Sequence, residues 1–253
     1  MAYYKKRLPF DPKSKETYKI SRSKIDMFLK CPRCFYLDQR LSVKQPSMPA
    51  FTLNNAVDTL FKKEFDIHRA NGEAHPLMKK YGIPAIPFQH PKIDEWRYNF
   101  TGVQVLHKPT NFLVFGAVDD IWVTKDKVLV VVDYKSTSTY RKIDLNDKWK
   151  QWYKIQMEIY QWLLRRQEDL KKDGYKVSPK GFFVYANARK DEKAFDAKLE
   201  FNLEIIPYIG DESWVEKTLL EMKECLMSES MPKANTECEY CEYRKKAKIY
   251  EVQ

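Results

Sequence analysis

Two hydrophobic periodicities alternate along the chain and divide it into helices and strands. A helix capped at Ser21 or Ser23 puts Ile25, Phe28 and Leu29 on one face. It runs to Cys31-Pro32-Arg33-Cys34, where Pro32 suits the first turn of a new helix. From about 54 to 70, Val57, Leu60, Phe61, Phe65 and His68 keep helical spacing, and Glu64 falls on the same stripe. Gly72, Pro76, Gly82, Pro84, Pro87 and Pro91 punctuate residues 71–100 and predict a loop-rich connection.

The pattern then changes. Residues 112–118 and 128–132 are short runs rich in β-branched side chains, and the polar turn 124–127 between them predicts a hairpin. The second run is apolar throughout, which predicts a strand buried on both faces. A long helix follows over about 147–170, with Trp152, Ile155, Ile159, Trp162 and Leu163 on its buried side. Strands at 182–185 and 199–208, a helix from Ser213 to about Met227, and a basic tail close the sequence. This order predicts an α/β sandwich forming a single domain over 1–253, with the tail 228–253 appended.

Charge and cysteine usage narrow the partners. Against 35 Asp+Glu stand 45 Lys+Arg, and the resulting +10 favours a polyanion, because neutralised phosphates release counterions. No apolar run approaches the roughly 20 residues needed to span a bilayer. Residues 1–20 read as an extended, basic lead-in that lacks the apolar core of a signal peptide. The expectation is a cytoplasmic protein with no membrane partner, in which five cysteines serve as metal ligands or core thiols and not as a disulfide framework.

The strongest chemical signal is Gly116-Ala-Val-Asp119, fourteen residues ahead of Asp133-Tyr-Lys135. If the two strands pair through the short turn, both carboxylates converge at one end of the sheet. Strand-borne carboxylates are rigid oxygen ligands for Mg²⁺, which keeps several waters and takes few protein ligands. Such an ion can generate a hydroxide nucleophile and stabilise charge on a phosphoryl group. Asp133 and Lys135 leave the same face of their strand, so the lysine can reach the water or phosphate that the metal holds. Tyr134 points the other way, into the core, and offers its backbone carbonyl as a further ligand. Asp120 faces away from Asp119 and is the weaker candidate.

Asp119, Asp133 and Lys135 resemble the signature of the PD-(D/E)XK nuclease superfamily, in its RecB-like branch, which includes CRISPR-associated exonucleases. Gln156 and Tyr160, four apart and so on one helix face, are similar to that branch's glutamine–tyrosine motif. The Ser21-x-Ser23-x-Ile25 helix leading into Cys31-Pro32 resembles the branch as well, and so does the tail, where Pro232 precedes Cys238 and Cys241. The resemblance implies a restriction-endonuclease-like mixed sheet flanked by helices. It also implies Mg²⁺- or Mn²⁺-dependent hydrolysis of DNA phosphodiesters, exonuclease-like and with little sequence preference. By that resemblance Asp119, Asp133, Lys135, Gln156 and Tyr160 form the catalytic set. One departure stands out: where the branch carries a metal-binding His, this chain has Asp58, a carboxylate that suits a hard ion. Glu64 is a second candidate ligand.

Cys31-x-x-Cys34 and Cys238-x-x-Cys241 have metal-ligand spacing and together suffice for a zinc ion or an iron–sulfur cluster. Such a shared site ties the first helix to the tail. The resemblance implies a 4Fe–4S cluster with three downstream cysteines, whereas this chain has two and Ala247 at the next position. Cys225 reads as core, and the four histidines lack ligand spacing.

Basic residues at 5–7, 62–63, 141–142, 165–166, 171–172 and 244–248 are candidates for phosphate contacts. Tyr140, Trp149, Trp152 and Tyr153 lie beside some of them, available for base stacking where exposed. Single-stranded DNA, duplex ends and RNA all remain open as substrates. So do a non-catalytic nucleic-acid-binding role and that of a partner subunit in a DNA repair or adaptation complex.

Overall fold

The computed structural model describes residues 8–251. In chain order it has strand β1 (Tyr18–Ser21), helices α1 (Arg22–Lys30), α2 (Pro32–Arg40), α3 (Thr52–Asn71) and α4 (Pro76–Lys80), strand β2 (Ala85–Pro87) and helix α5 (Ile93–Arg97). Strands β3 (Val103–His107), β4 (Phe112–Gly116), β5 (Asp120–Thr124) and β6 (Val128–Thr137) follow, then helices α6 (Gln151–Arg165) and α7 (Glu168–Lys172). Strands β7 (Lys176–Val177), β8 (Lys180–Ala188) and β9 (Phe201–Ile209) and helices α8 (Trp214–Met227) and α9 (Glu239–Glu251) complete it.

Residues 50–105 and 115–212 make one compact unit, and 1–49, 106–114 and 213–253 make another. The first of these is built on a six-stranded mixed sheet of order β2-β5-β6-β8-β9, with β7 also paired to β6. β5 and β6 run antiparallel, β6 and β8 parallel, and β8 and β9 antiparallel. Central β6 is buried over Leu129–Tyr134, as its continuous apolar run predicts.

Alternation along β6 decides which helix each residue meets. Val130, Val132 and Tyr134 join a core cluster with Phe61 and Phe65 of α3 and Trp122 of β5. The rings of Phe61 and Tyr134 stack at 5.0 Å, and those of Phe65 and Trp122 at 5.6 Å. The intervening Asp133 meets α6 on the opposite face. The buried stripe of α3 is Phe61, Phe65 and Arg69, whereas Leu60 is exposed. Arg69, two turns after Phe61, continues that stripe because its guanidinium pairs with the fully buried Asp120. Gly72, in the left-handed conformation, ends the helix.

Four sequence expectations are corrected. The antiparallel partner of β6 is β5, not the 112–118 run, which forms β4 in a separate three-stranded sheet of order β1-β4-β3. The polar pair Asp119-Asp120 looks like a strand end, yet Asp120 begins β5 because its buried carboxylate has partners. The helix expected over 147–170 breaks between Arg165 and Glu168 into α6 and α7. The loop-rich 71–100 stretch also carries α4, β2 and α5.

In the other unit Pro32 takes the first position of α2 as expected, and the tail adds helix α9. α9 has no buried residue, so no apolar stripe announces it. Of the lead-in, Tyr18–Ser21 is a strand, while Lys5, Lys6 and Arg7 lie outside the described residues. Among the described residues no helix is long and apolar enough to cross a membrane.

Candidate active site and metal centre

Asp119 immediately precedes β5 and Asp133 lies within β6, and the antiparallel pairing of these strands brings the two carboxylates together. The amide of Tyr134 donates to Asp119 Oδ2 at 3.0 Å. Lys135 Nζ pairs with Asp133 Oδ2 and lies 4.7 Å from the centre of the Tyr153 ring. From α6, Gln156 Nε2 donates to Asp133 Oδ1 at 2.8 Å and to the Tyr160 hydroxyl at 3.0 Å. The structure therefore gathers Asp119, Asp133, Lys135, Gln156 and Tyr160 in one place.

Electrostatics separates the two carboxylates. Burial raises Asp133, Lys135 opposes that, the neighbouring Asp119 adds to it, and the net result is a carboxyl pushed up to about 7. Burial acts on Asp119 too, but the charges of Lys135 and Lys62 and the Tyr134 amide outweigh it and hold the group below its ordinary value. Two cations already attracted to these carboxylates mark a spot that stabilises positive charge. The donors available there, Asp119, Asp133 and the Tyr134 carbonyl, are all oxygens and suit a hard divalent ion.

The remaining sequence candidates fall in different places. Asp58 lies beside the site, where its Oδ2 accepts from Lys62 Nζ at 2.8 Å; Lys62 also reaches Asp119 Oδ1 at 3.4 Å. Glu64 is instead paired with His75 Nε2 at 2.8 Å. Asp120 is fully buried on the other side, bound by Arg69 and by the Tyr134 hydroxyl at 2.7 Å. Sequence reasoning did not place Lys62 and Tyr153 in the site. Lys62 read as half of a basic pair and Tyr153 as a helix aromatic; the available signal was their helical spacing from Asp58 and from Gln156 and Tyr160.

A groove of about 350 Å³ lies where β6 and β8 end. Tyr140, Arg141, Lys142, Asn187, Arg189 and Lys190 are among its lining residues. Tyr140 is three-quarters exposed, with Lys190 Nζ 4.5 Å from its ring centre. The side chain of Asn187 clasps the backbone of Thr139, its Oδ1 accepting from the Thr139 amide and its Nδ2 donating to the Thr139 carbonyl, which fixes the loop. Trp149 is exposed too, while Trp152 and Tyr153 are half-buried.

The cysteine pairs meet within the other unit. Cys31 Sγ lies 3.8 Å from Cys241 Sγ, and Cys34 Sγ lies 3.5 Å from Cys238 Sγ and 3.6 Å from Cys241 Sγ. All four sulfurs fall within 4.8 Å of one another. Burial works against the Cys31 thiolate, but hydrogen bonds from the Asn235 and Cys34 amides bring its thiol down to about 7. Burial instead pushes Cys241 up to about 11. Four close thiols are a ready metal-binding set. Cys225, half-buried on α8, stands outside this group. Beside the four-thiol cluster, Arg33, Arg244, Lys245 and Lys248 line, with Cys241, a cleft of about 740 Å³.

A mixed sheet flanked by helices, with an acidic pair and a lysine on adjoining strands, defines the restriction-endonuclease-like α/β class. A family model described as the PD-(D/E)XK nuclease superfamily matches residues 70–245, well over half of the chain, and the chain belongs to that superfamily. Its members are generally metal-dependent nucleases. Among solved structures, the chain is similar to SSO0001 at 18% identity, with 92% of this chain and 86% of that one covered and a TM-score of 0.44. It is also similar to a protein from Eubacterium rectale described as "Putative exonuclease", at 14% identity, with 92% and 90% covered and a TM-score of 0.42. A search among curated proteins finds no match.

Proposed function

We propose that the protein is a Mg²⁺- or Mn²⁺-dependent deoxyribonuclease of RecB-like type. The observation that carries this reading is the convergence of Asp119, Asp133 and Lys135, with Gln156 bonded to Asp133. A bound divalent ion supplies Lewis acidity and a water of lowered pKa; Asp119, Asp133 and the Tyr134 carbonyl hold it. Lys135 orients the attacking water or the scissile phosphate, and Gln156 and Tyr160 fix Asp133. The groove at Tyr140, Arg141 and Lys142 supports an unpaired strand as substrate, because it offers cations for phosphates beside an exposed ring for a base. No base-reading motif accompanies it, so cleavage is expected to have little sequence preference.

End-labelled single- and double-stranded DNA, incubated with Mg²⁺, tests the reading. Single strands should be shortened progressively from an end. Internal fragments as first products would replace exonuclease by endonuclease action, and inert DNA of both kinds would favour the non-catalytic binding role.

The cysteines are read as a single-zinc centre. Four thiolates around one ion at Zn–S of about 2.3 Å place neighbouring sulfurs about 3.8 Å apart, close to the 3.5–3.8 Å of three of the sulfur pairs, with all four sulfurs within 4.8 Å. A 4Fe–4S cube puts each thiolate on its own iron and spreads the sulfurs wider. Elemental analysis of fresh protein should therefore find zinc in a colourless sample, and Cys34→Ser should release it and open α9 to proteolysis. Iron with absorption near ~400 nm would establish the cluster instead.

A further inference from the structure

We propose that Lys62 is a built-in cation of the active site: it occupies the place between Asp58 and Asp119 where a second metal ion would bind, so the site takes one divalent ion. This rests on the nuclease reading above and specifies its metal stoichiometry.

A lysine four residues after an aspartate on a helix is ordinarily a solvated surface pair worth little. Lys62 differs in its reach. Its ammonium extends off α3 to Asp119, 57 residues away in sequence, while staying 2.8 Å from Asp58. Its side chain is 23% exposed, so the charge is held against the protein and not in bulk solvent. Phe61 and Phe65, buried in the core, fix the helix face from which it extends.

The oxygens it engages are Asp58 Oδ2 and Asp119 Oδ1, on the two carboxylates that would have to hold a second metal ion there. Asp133 is not among its partners and is served by Lys135 and Gln156. The site thus has two cationic positions: one filled by Lys62, and one at Asp119 and Asp133 left for a metal. Charge agrees: with all three carboxylates ionised, Asp58, Asp119 and Asp133 face the ammoniums of Lys62 and Lys135 and leave one net negative charge. One divalent ion reverses that balance modestly; a second beside the Lys62 ammonium would meet strong like-charge repulsion. In this arrangement Asp58 is a positioning residue for Lys62 and not a metal ligand.

Calorimetric titration with Ca²⁺, a hard ion that thiolates do not hold, of protein freed of Mg²⁺ and Ca²⁺ but keeping any metal at its cysteines reads the stoichiometry directly. Wild type should bind one ion, and Asp133→Asn should lose it. Lys62→Met and Lys62→Gln should bind two, whereas Lys62→Arg, which restores the charge, should return to one. Asp58→Asn should keep the single ion with little change in affinity. Two ions on wild type would overturn the proposal whether or not the variants fold. So would one ion of unchanged affinity on a folded Lys62→Met, checked by circular dichroism. Absence of any Ca²⁺ uptake that depends on Asp133 would reject the metal-centre reading itself, and with it this role for Lys62.

Discussion

Lys135→Met slows metal-dependent DNA cleavage by about 10²–10⁴-fold, the range expected when a positioned proton-transfer or charge-stabilising group is removed. Its ammonium is fixed from two sides, by the Asp133 carboxylate and by the Tyr153 ring. Its side chain is 14% exposed, so bulk water does not readily take over its role. Methionine keeps the length and the ring contact while removing the charge. The loss should therefore appear in the single-turnover rate at saturating DNA, with the melting temperature little changed. An equal single-turnover rate in variant and wild type would assign Lys135 to maintaining the Asp133 pair alone.

Arg69→Met destabilises the protein by about 3–5 kcal/mol, the cost of leaving one member of a buried ion pair without its partner. Arg69 joins Asp120, Asp66 and the Phe88 carbonyl beneath the sheet, and Asp120 has no solvent exposure. Without the guanidinium, Asp120 retains only the Tyr134 hydroxyl and the Ile121 amide. Thermal denaturation should show the midpoint falling by on the order of 10 °C. Because the cost is that of an orphaned charge, Arg69→Met combined with Asp120→Leu should be more stable than Arg69→Met alone. A single variant within about 1 kcal/mol of wild type would mean that the network contributes little.

These two substitutions mark where sequence was informative and where it was not. The run Leu129–Val132 read as a strand buried on both faces and is one, and the spacing of Asp133 and Lys135 placed both side chains on one face of it. Pairing was harder. Residues 112–116 and 121–123 are both apolar, and only Arg69, 51 residues from Asp120, tells which run can begin with a buried carboxylate beside β6. Patterns of apolar positions do not register an ion pair that stands in for a hydrophobe, which is why Arg69 was not read into the buried stripe of α3. Lys62 escaped notice for a related reason: its reach to Asp119 depends on how α3 lies against the sheet. α9 left no trace because a helix without a buried face has no apolar period to read.

The central claim is that Asp119 and Asp133 form a metal-dependent phosphodiesterase centre. Its most direct test is the rate of cleavage of one end-labelled single-stranded DNA by wild type and by Asp133→Asn, with Mg²⁺ or with EDTA. The account predicts cleavage by wild type with Mg²⁺, none with EDTA, and none by folded Asp133→Asn under either condition. Cleavage of equal rate by Asp133→Asn, or cleavage that persists in EDTA, would contradict it.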